Sequence, residues 1–461
     1  MKRKILRHMQ KMSRVALLGV LAAAISVGGS LPTAFAATSY ETVTETFDWG
    51  PSVSKVVVDV DRDVKAGDVD ASKFRAHVKR VLAEGAMTPQ AAVAAKAKDA
   101  GAGHVVLGAE AKSDKDLEGD RTITAAYVSD AQGNKVADGQ SGHYVTLEMK
   151  VGPQETLGAA LNFDLRSFLN NWVTSEYTIT DEAANATIDN CKGDIRPQAD
   201  KFTYGVGTGE EARLSFPYAS YEPESLNDGA KHPLIIWLHG MGEGGNSPSL
   251  PIMGNKATQF ADASIQKHFG GAYVLAPQAR TYWMHGYKTF ADGTSIYSQD
   301  LMAFIKNYVA AHPGVDENRI YVGGDSNGGY MTMLLVRDNP GYFAAAFPTC
   351  EGLADKLISD KDLKNIAKTP IWFTAAKTDT VLPPKDYVVP TFARLQKIGA
   401  DAHFSFFDKV VDETGLYKKA DGTPYEYAGH WSWIYVYNDR CEDTINGKAV
   451  KLFAWMAAQH R

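Results

Sequence analysis

One turn limits the fold more than any other feature of the chain. The apolar run Arg319-Ile-Tyr-Val322 passes into Gly323-Gly324-Asp325-Ser326-Asn327-Gly328-Gly329 and then into a helical pattern from Tyr330 to Arg337. A G-x-S-x-G turn between a strand and a helix holds a serine on a tight, strained elbow with its hydroxyl exposed. Glycines on both sides let strand and helix approach without Cβ clashes. The three fixed letters are weak by themselves in a Gly-rich chain, so the strand before and the helix after carry the reading.

A nucleophilic serine needs a base to take its proton and an acid to orient that base. On this kind of elbow they follow the serine as Asp or Glu, then His. The run Thr369-Pro-Ile-Trp-Phe-Thr-Ala375 reads as a buried strand, and Asp379 stands in the loop at its C-terminal end, where open α/β sheets collect their active residues. Turn chemistry is the ordinary role of a loop Asp; its place after this strand singles it out. Three histidines lie beyond Asp379. His403 belongs to an alternating strand and His460 is penultimate in the chain, which leaves His430 in the Gly-led loop Ala428-Gly429-His430-Trp431-Ser432-Trp433. The expected triad is Ser326, Asp379 and His430.

Acyl transfer also needs donors for the oxyanion. The strand-like run Pro233-Leu-Ile-Ile-Trp-Leu238 ends in His239-Gly240-Met241-Gly242-Glu243-Gly244-Gly245. The backbone N–H of Met241 or Gly240 is expected to join that of Asn327 in facing a tetrahedral intermediate. A phosphate cradle is the competing reading of this loop, but the chain has no G-K-[ST] here. Neither a cofactor nor a metal is implied. Asp59, Asp61, Asp63 and Asp70 have the spacing of a calcium loop, yet Val64 replaces the required Gly and no Glu closes the loop, so a solvated strand end is expected.

The texture of the chain changes near residue 200. Before it, apolar residues alternate at 74–78, 123–127 and 145–151, the pattern of half-buried antiparallel strands, and residues 40–183 read as a small β-sandwich. The Ala-rich stretch 83–103 interrupts them as a short helix or elaborated loop. Residues 184–199, polar and aperiodic, read as a linker. Residues 200–461 alternate apolar strands, expected at 234–238, 272–276, 320–322, 344–348, 371–375 and 403–407, with helices near 299–311, 328–338, 390–398 and 450–460. That is a doubly wound, mostly parallel α/β sheet.

The first residues are basic, Val15 to Val27 are apolar, and Ala34-Phe35-Ala36 is an A-x-A site, so 1–36 read as a secretory signal peptide cleaved near Ala36. Thirteen apolar residues fall short of the roughly 20 that cross a bilayer. The segment carries six Lys or Arg and no acid, so its removal takes the formal charge from −6 to −12. Such a balance argues against nucleic acid or an anionic membrane as partner. Cys191, Cys350 and Cys441 are too few for a disulfide scaffold. Were one bridge to form, Cys350–Cys441 is the expected pair, with Cys191 free.

These motifs resemble a known group. Trp237-Leu-His-Gly240, Leu275-Ala-Pro-Gln278, the Gly324–Gly328 elbow, Ala376-Lys-Thr-Asp379 with Pro383, and Gly429-His430 resemble the bacterial esterase and "predicted peptidase" branch of α/β-hydrolases, related to polyhydroxyalkanoate depolymerases and feruloyl esterases. The N-terminal region, with Phe47-Asp-Trp-Gly-Pro51 and Val56-Val-Val-Asp-Val60, resembles the immunoglobulin-like (Ig-like) domain of Thermotoga-type esterases. The resemblance implies the same triad. Asp325 and Asn327 depart from the small or apolar residues, and the frequent Met, beside the serine in that group.

The leading expectation is a secreted serine carboxylic-ester hydrolase acting on a small-molecule or polymer-derived ester. A serine peptidase would use the same triad, and a surface-binding protein with a silent hydrolase fold is a third class. Trp283, Trp431 and Trp433 are expected to line the substrate pocket. The Ig-like domain is expected to wall the cleft or to join subunits in a homo-oligomer.

Overall fold

The computed structural model describes residues 39–84, 117–164, 166–209, 213–224 and 229–461. The proposed signal segment, and the Ala-rich stretch from residue 85 on, lie outside them. Alternation builds the first domain. Val56 and Val58 of the strand Gly50–Lys65 pack with Ala76, Val78, Val145, Leu147, Met149, Tyr177 and Ile179 into one core between two sheets. One sheet has five strands and the other four. The strand Gly50–Lys65 continues through the acidic stretch that carries Asp59, Asp61 and Asp63, with its pairing to Ser141–Met149 irregular between Asp59 and Val64 and Asp61 at φ 47°.

Two sequence expectations change here. In the strand Ile123–Ser129 the pairing shifts register between Ile123 and Ala125, so the inward residues are Ile123, Ala126 and Val128 rather than 123, 125 and 127. A bulge adds one residue and flips every side chain beyond it. Residues 184–199 are not a linker. Ala186–Ile188 pairs with Thr174–Asp181, and Cys191–Ile195 runs parallel to Ser39–Phe47, so the last strand of the domain closes against the first. Backbone pairing needs no apolar alternation, and these strands show little.

A hairpin of the first domain, Leu161–Asp164 with Leu169–Trp172, stands outside both sheets and reaches the second domain. There the strands β1 (Thr203–Thr208), β2 (Ser215–Tyr221), β3 (His232–Leu238), β4 (Tyr273–Pro277), β5 (Val315–Asp325), β6 (Ala345–Thr349), β7 (Ile371–Ala376) and β8 (Ala402–Phe407) form a single sheet. Its order is β1-β2-β4-β3-β5-β6-β7-β8, antiparallel at the β1 and β2 edge and parallel from β4 onward. Successive side chains of a strand point to opposite faces. Leu234, Ile236 and Leu238 therefore join one core with helices α1 (Ser298–Ala311), α2 (Asn327–Asp338) and α3 (Val388–Lys397). Ile235 and Trp237 join the other, with Phe260, Tyr437 and Phe453. Burial on both faces is why β3 and β7 read as unbroken apolar runs.

The helix expected over 450–460 is shorter, Leu452–Ala457. A hairpin, Glu442–Ile445 with Lys448–Lys451, takes up the residues before it. Its turn is Asn446-Gly447, both at positive φ (52° and 76°), the pairing that a two-residue hairpin turn favours.

Candidate active site

The elbow is forced by two glycines. A Cβ on Gly328 would lie 1.8 Å from the carbonyl oxygen of Leu238, and one on Gly324 would lie 2.4 Å from the same oxygen. Strand β3, strand β5 and helix α2 thus cross at a distance only glycine allows. Ser326 sits between them at φ 55°, ψ −109°, a strained conformation for a residue with a side chain. Its N–H is tied to the carbonyl of Thr349, which holds the strained peptide against β6.

Asp379 and His430 come to this serine from two other loops. Asp379 follows β7 and is 3% exposed; one carboxylate oxygen accepts the N–H groups of Val381 (2.8 Å) and Leu382 (3.0 Å). Its other oxygen lies 2.8 Å from His430 Nδ1. A carboxylate only accepts, so Nδ1 carries the proton and Nε2 is left as an acceptor. Nε2 lies 2.9 Å from Ser326 Oγ, which donates to it. The imidazole is held by a short turn, Gly429–Trp431, and a Cβ on Gly429 would lie 2.3 Å from the carbonyl carbon of Thr378. Trp433 meets the ring edge-on at 5.6 Å. Asp408, one strand further on, is exposed and pairs with Lys377 instead (2.6 Å).

The loop after β3 faces the elbow. Gly240 caps a single 3-10 turn, Met241–Glu243, and the first N–H groups of such a turn, like that of Asn327 at the start of α2, have no partner within their own helix. His239 is wholly buried. Its Nδ1–H donates to the Gly240 carbonyl, and its Nε2 accepts the N–H of Ala279 at 3.0 Å. Burial pushes its pKa down to about 4, so the ring is neutral, as that acceptor role requires. Asn327 uses its side chain as well, accepting the N–H of Met284 at 3.2 Å.

Behind this loop lies a feature the motifs did not reveal. Asp325, the residue before the serine, and Glu243 are both buried, and their carboxylate oxygens lie against Gly240. Burial raises both pKa values, and the Glu243 charge raises that of Asp325 further. Asn255 donates to Asp325 (3.0 Å), and Asn170 of the first domain donates to Glu243 (2.9 Å). The only hint in the sequence was the polar pair Asp325 and Asn327 flanking the serine.

Two other expectations are corrected. Trp283 does not line a pocket: it is wholly buried, packed among Phe216, Tyr297 and His239. Trp433 is 6% exposed and backs the imidazole, while Trp431 is half-buried and stacks on Tyr427 and Trp433. An apolar run beside an active loop is more often core than pocket, and here the core claims Trp283. All three cysteines are free. Cys350 and Cys441 are buried thiols, and Cys441 is turned toward the Thr374 hydroxyl at 3.4 Å.

Residues 39–191 match the family described as the esterase Ig-like N-terminal domain, and residues 292–387 match the prolyl oligopeptidase family. The second match holds Ser326 and Asp379 and ends before His430. No curated protein matches the chain. Among solved structures, that of a thermostable esterase is 22% identical, covers 92% of this chain and 100% of its own, and superposes with a TM-score of 0.68. An acylaminoacyl peptidase from Pyrococcus horikoshii is 14% identical over 51% of this chain and 40% of its own, with a TM-score of 0.36. A ferulic acid esterase is 13% identical over 45% and 89%, also at 0.36. The chain is an Ig-like domain followed by an α/β-hydrolase fold, and the geometry of Ser326, His430 and Asp379 is that of a serine hydrolase.

Proposed function

We propose that this protein is a secreted carboxylesterase that works through an acyl-enzyme on Ser326. The observation that carries the reading is His430 bridging Asp379 and Ser326 at 2.8 and 2.9 Å. Ser326 Oγ attacks the ester carbonyl carbon while His430 Nε2 takes its proton, and the buried Asp379 stabilises the imidazolium so formed. The oxyanion is received by the N–H groups of Asn327 and Met241, with Gly240 as the alternative donor. His430 then gives its proton to the alkoxy oxygen, the C–O bond breaks and the alcohol leaves. Water, deprotonated by the same nitrogen, attacks the acyl carbon; the bond to Ser326 Oγ then breaks, His430 returns the proton to that oxygen, and the carboxylic acid leaves.

Ester rather than amide as substrate is supported by the N-terminal domain, whose family is described by its occurrence in esterases. A serine peptidase is the second reading, supported by the match of 292–387 to the prolyl oligopeptidase family. Export is supported by the basic, then apolar, N-terminal segment ending in an A-x-A site. The net acidic charge supports an uncharged ester, small or polymer-derived, over nucleic acid or an anionic membrane.

Labelling by a fluorophosphonate, mapped to Ser326 by mass spectrometry, tests the nucleophile. Matched nitrophenyl esters and nitroanilides test the reaction: turnover of the ester series with little on the anilides is expected, and the reverse order would assign a peptidase. Cell fractionation tests export, with the protein expected outside the cytoplasm and starting near residue 37.

A further inference from the structure

The oxyanion loop is held from two sides. From the hydrolase side, Gln278 Nε2 donates to the Glu243 carbonyl at 2.8 Å, and His239 fixes Gly240. From the other side comes the hairpin of the Ig-like domain. Asn170 Nδ2 donates to Glu243 Oε1 at 2.9 Å, and Trp172 Nε1 donates to Ser247 Oγ at 3.0 Å. A Cβ on Gly242 would lie 2.6 Å from Asn170 Nδ2 and 3.4 Å from the Phe163 ring, and one on Gly244 would lie 3.1 Å from Leu169 Cδ2. The hairpin therefore rests directly on residues 242–247. Glu243 is 4% exposed, and its second carboxylate oxygen has no hydrogen-bond partner among the described residues. Among the described residues Asn170 is the one side chain that donates to that carboxyl, beside backbone N–H groups of Gly240 and Glu243, and it comes from another domain.

This matters because the loop cannot hold itself. Gly240, Gly242, Gly244 and Gly245 give it almost no side chains to pack, and Gly245 sits at φ 126°. An oxyanion donor must be placed before the reaction begins, and a displacement of about 1 Å costs on the order of a hundred-fold in rate. We propose that the 161–172 hairpin of the Ig-like domain positions the oxyanion loop, with Asn170 as a positioning residue that acts on Met241 through Glu243. The Ig-like domain is then part of how the site is assembled, without touching the reacting atoms. The inference rests on the reading of Ser326 as nucleophile and of Met241 as oxyanion donor.

The test is made in the full chain with one nitrophenyl ester. Asn170→Ala is expected to lower kcat by about ten- to a hundred-fold, with KM within about three-fold, because the lost alignment is felt in the transition state. Phosphonylation of Ser326 should slow by a similar factor. The double variant Asn170→Asp with Glu243→Gln reverses donor and acceptor while keeping the bond, and should recover most of the loss. Tyr417→Ala is the control. It removes a packing partner of Trp49 and Gly152, both in the Ig-like domain and neither in the 161–172 hairpin, and should lower the melting temperature with kcat within about two-fold. The proposal is overturned if Asn170→Ala keeps kcat within two-fold of the parent. An equal loss in Tyr417→Ala would also overturn it, as would a folded double variant that stays as slow as Asn170→Ala. If Asn170→Ala does not fold, the double variant and Tyr417→Ala decide on the same readings. Failure of the parent protein to label at Ser326 would instead sink the nucleophile assignment beneath it.

Discussion

Ser326 is strained, and the strain is held by its neighbours: Thr349 takes its N–H, and glycines stand two residues away on either side. The three side chains that meet here act as one unit. Ser326→Ala or His430→Ala should lower turnover by roughly a million-fold with the fold intact, and Asp379→Asn by about 10⁴ through the wrong imidazole tautomer. Steady-state kinetics with circular dichroism checks this, and more than a few per cent activity in either of the first two would refute the assignment. Asp408→Asn should be silent, since Asp408 is exposed and paired with Lys377. A different residue sets a pH effect. Glu351, wholly buried two positions after Thr349, is pushed by burial from 4.5 up to about 8. Below pH 4.5 it is protonated in both folded and unfolded chains and costs nothing. Between 4.5 and 8 only the unfolded chain releases the proton, so stability falls as pH rises, by up to about 5 kcal/mol. Glu351→Gln should remove that fall. Urea titrations at pH 5 and pH 9 should show the variant gaining on the parent at the higher pH; an equal difference at both would assign the effect elsewhere.

Elements meet at this site where side chains are missing. Strand β3 and helix α2 touch through Gly328, and the His430 turn touches the Asp379 loop through Gly429. Gly328→Ala must push Leu238 away or unwind the start of α2, and either shifts the serine and the loop after β3 together. A cost of about 3 kcal/mol, with loss of most activity, is expected from this overpacking. Denaturant unfolding and ester turnover read the two effects, and a variant with parental stability would show that the crossing is looser than the structure has it. The same scale explains two differences from the sequence expectation. A bulge in Ile123–Ser129 reverses which residues face inward, and Asn446-Gly447 turns the first part of an expected helix into a hairpin. The bulge is invisible to strict alternation, whereas Asn446-Gly447 is a hairpin signal that the helix expected over 450–460 left out of account.

At the scale of the whole molecule, polar pairs bind the two domains. Lys256 Nζ reaches Asp48 at 2.8 Å and Asn438 at 3.0 Å, and Thr46 and Thr258 share a buried hydrogen bond at 2.9 Å. The two domains should therefore unfold in a single transition. Asp48→Ala leaves Lys256 short of its partner in a site where that side chain is 20% exposed, and should cost about 2 kcal/mol, less than a fully buried pair would. Calorimetry checks both expectations. Two separate transitions in the parent would mean that the interface contributes little.

The sequence by itself determined six of the eight strands of the hydrolase sheet, all but the edge pair Thr203–Thr208 and Ser215–Tyr221, and the order of Ser326, Asp379 and His430, because each rests on local chemistry: apolar runs, glycines at a crossing, a carboxylate after a strand. The larger part of the Ig-like sandwich was legible for the same reason, through alternation at residues 74–78 and 145–149. What needed the tertiary structure was everything carried by long-range contact. The strands at 186–188 and 191–195 pair through backbone groups that leave no side-chain pattern, so they read as a linker. Trp283 and Trp433 look alike in sequence, and only packing sends one into the core and the other against the imidazole. Asn170 and Glu243 are 73 residues apart in different domains, and no local pattern can couple a hairpin amide to a carboxyl in the loop after β3. Their meeting is decided by how two domains dock, since a buried carboxyl must find a partner wherever the fold supplies one.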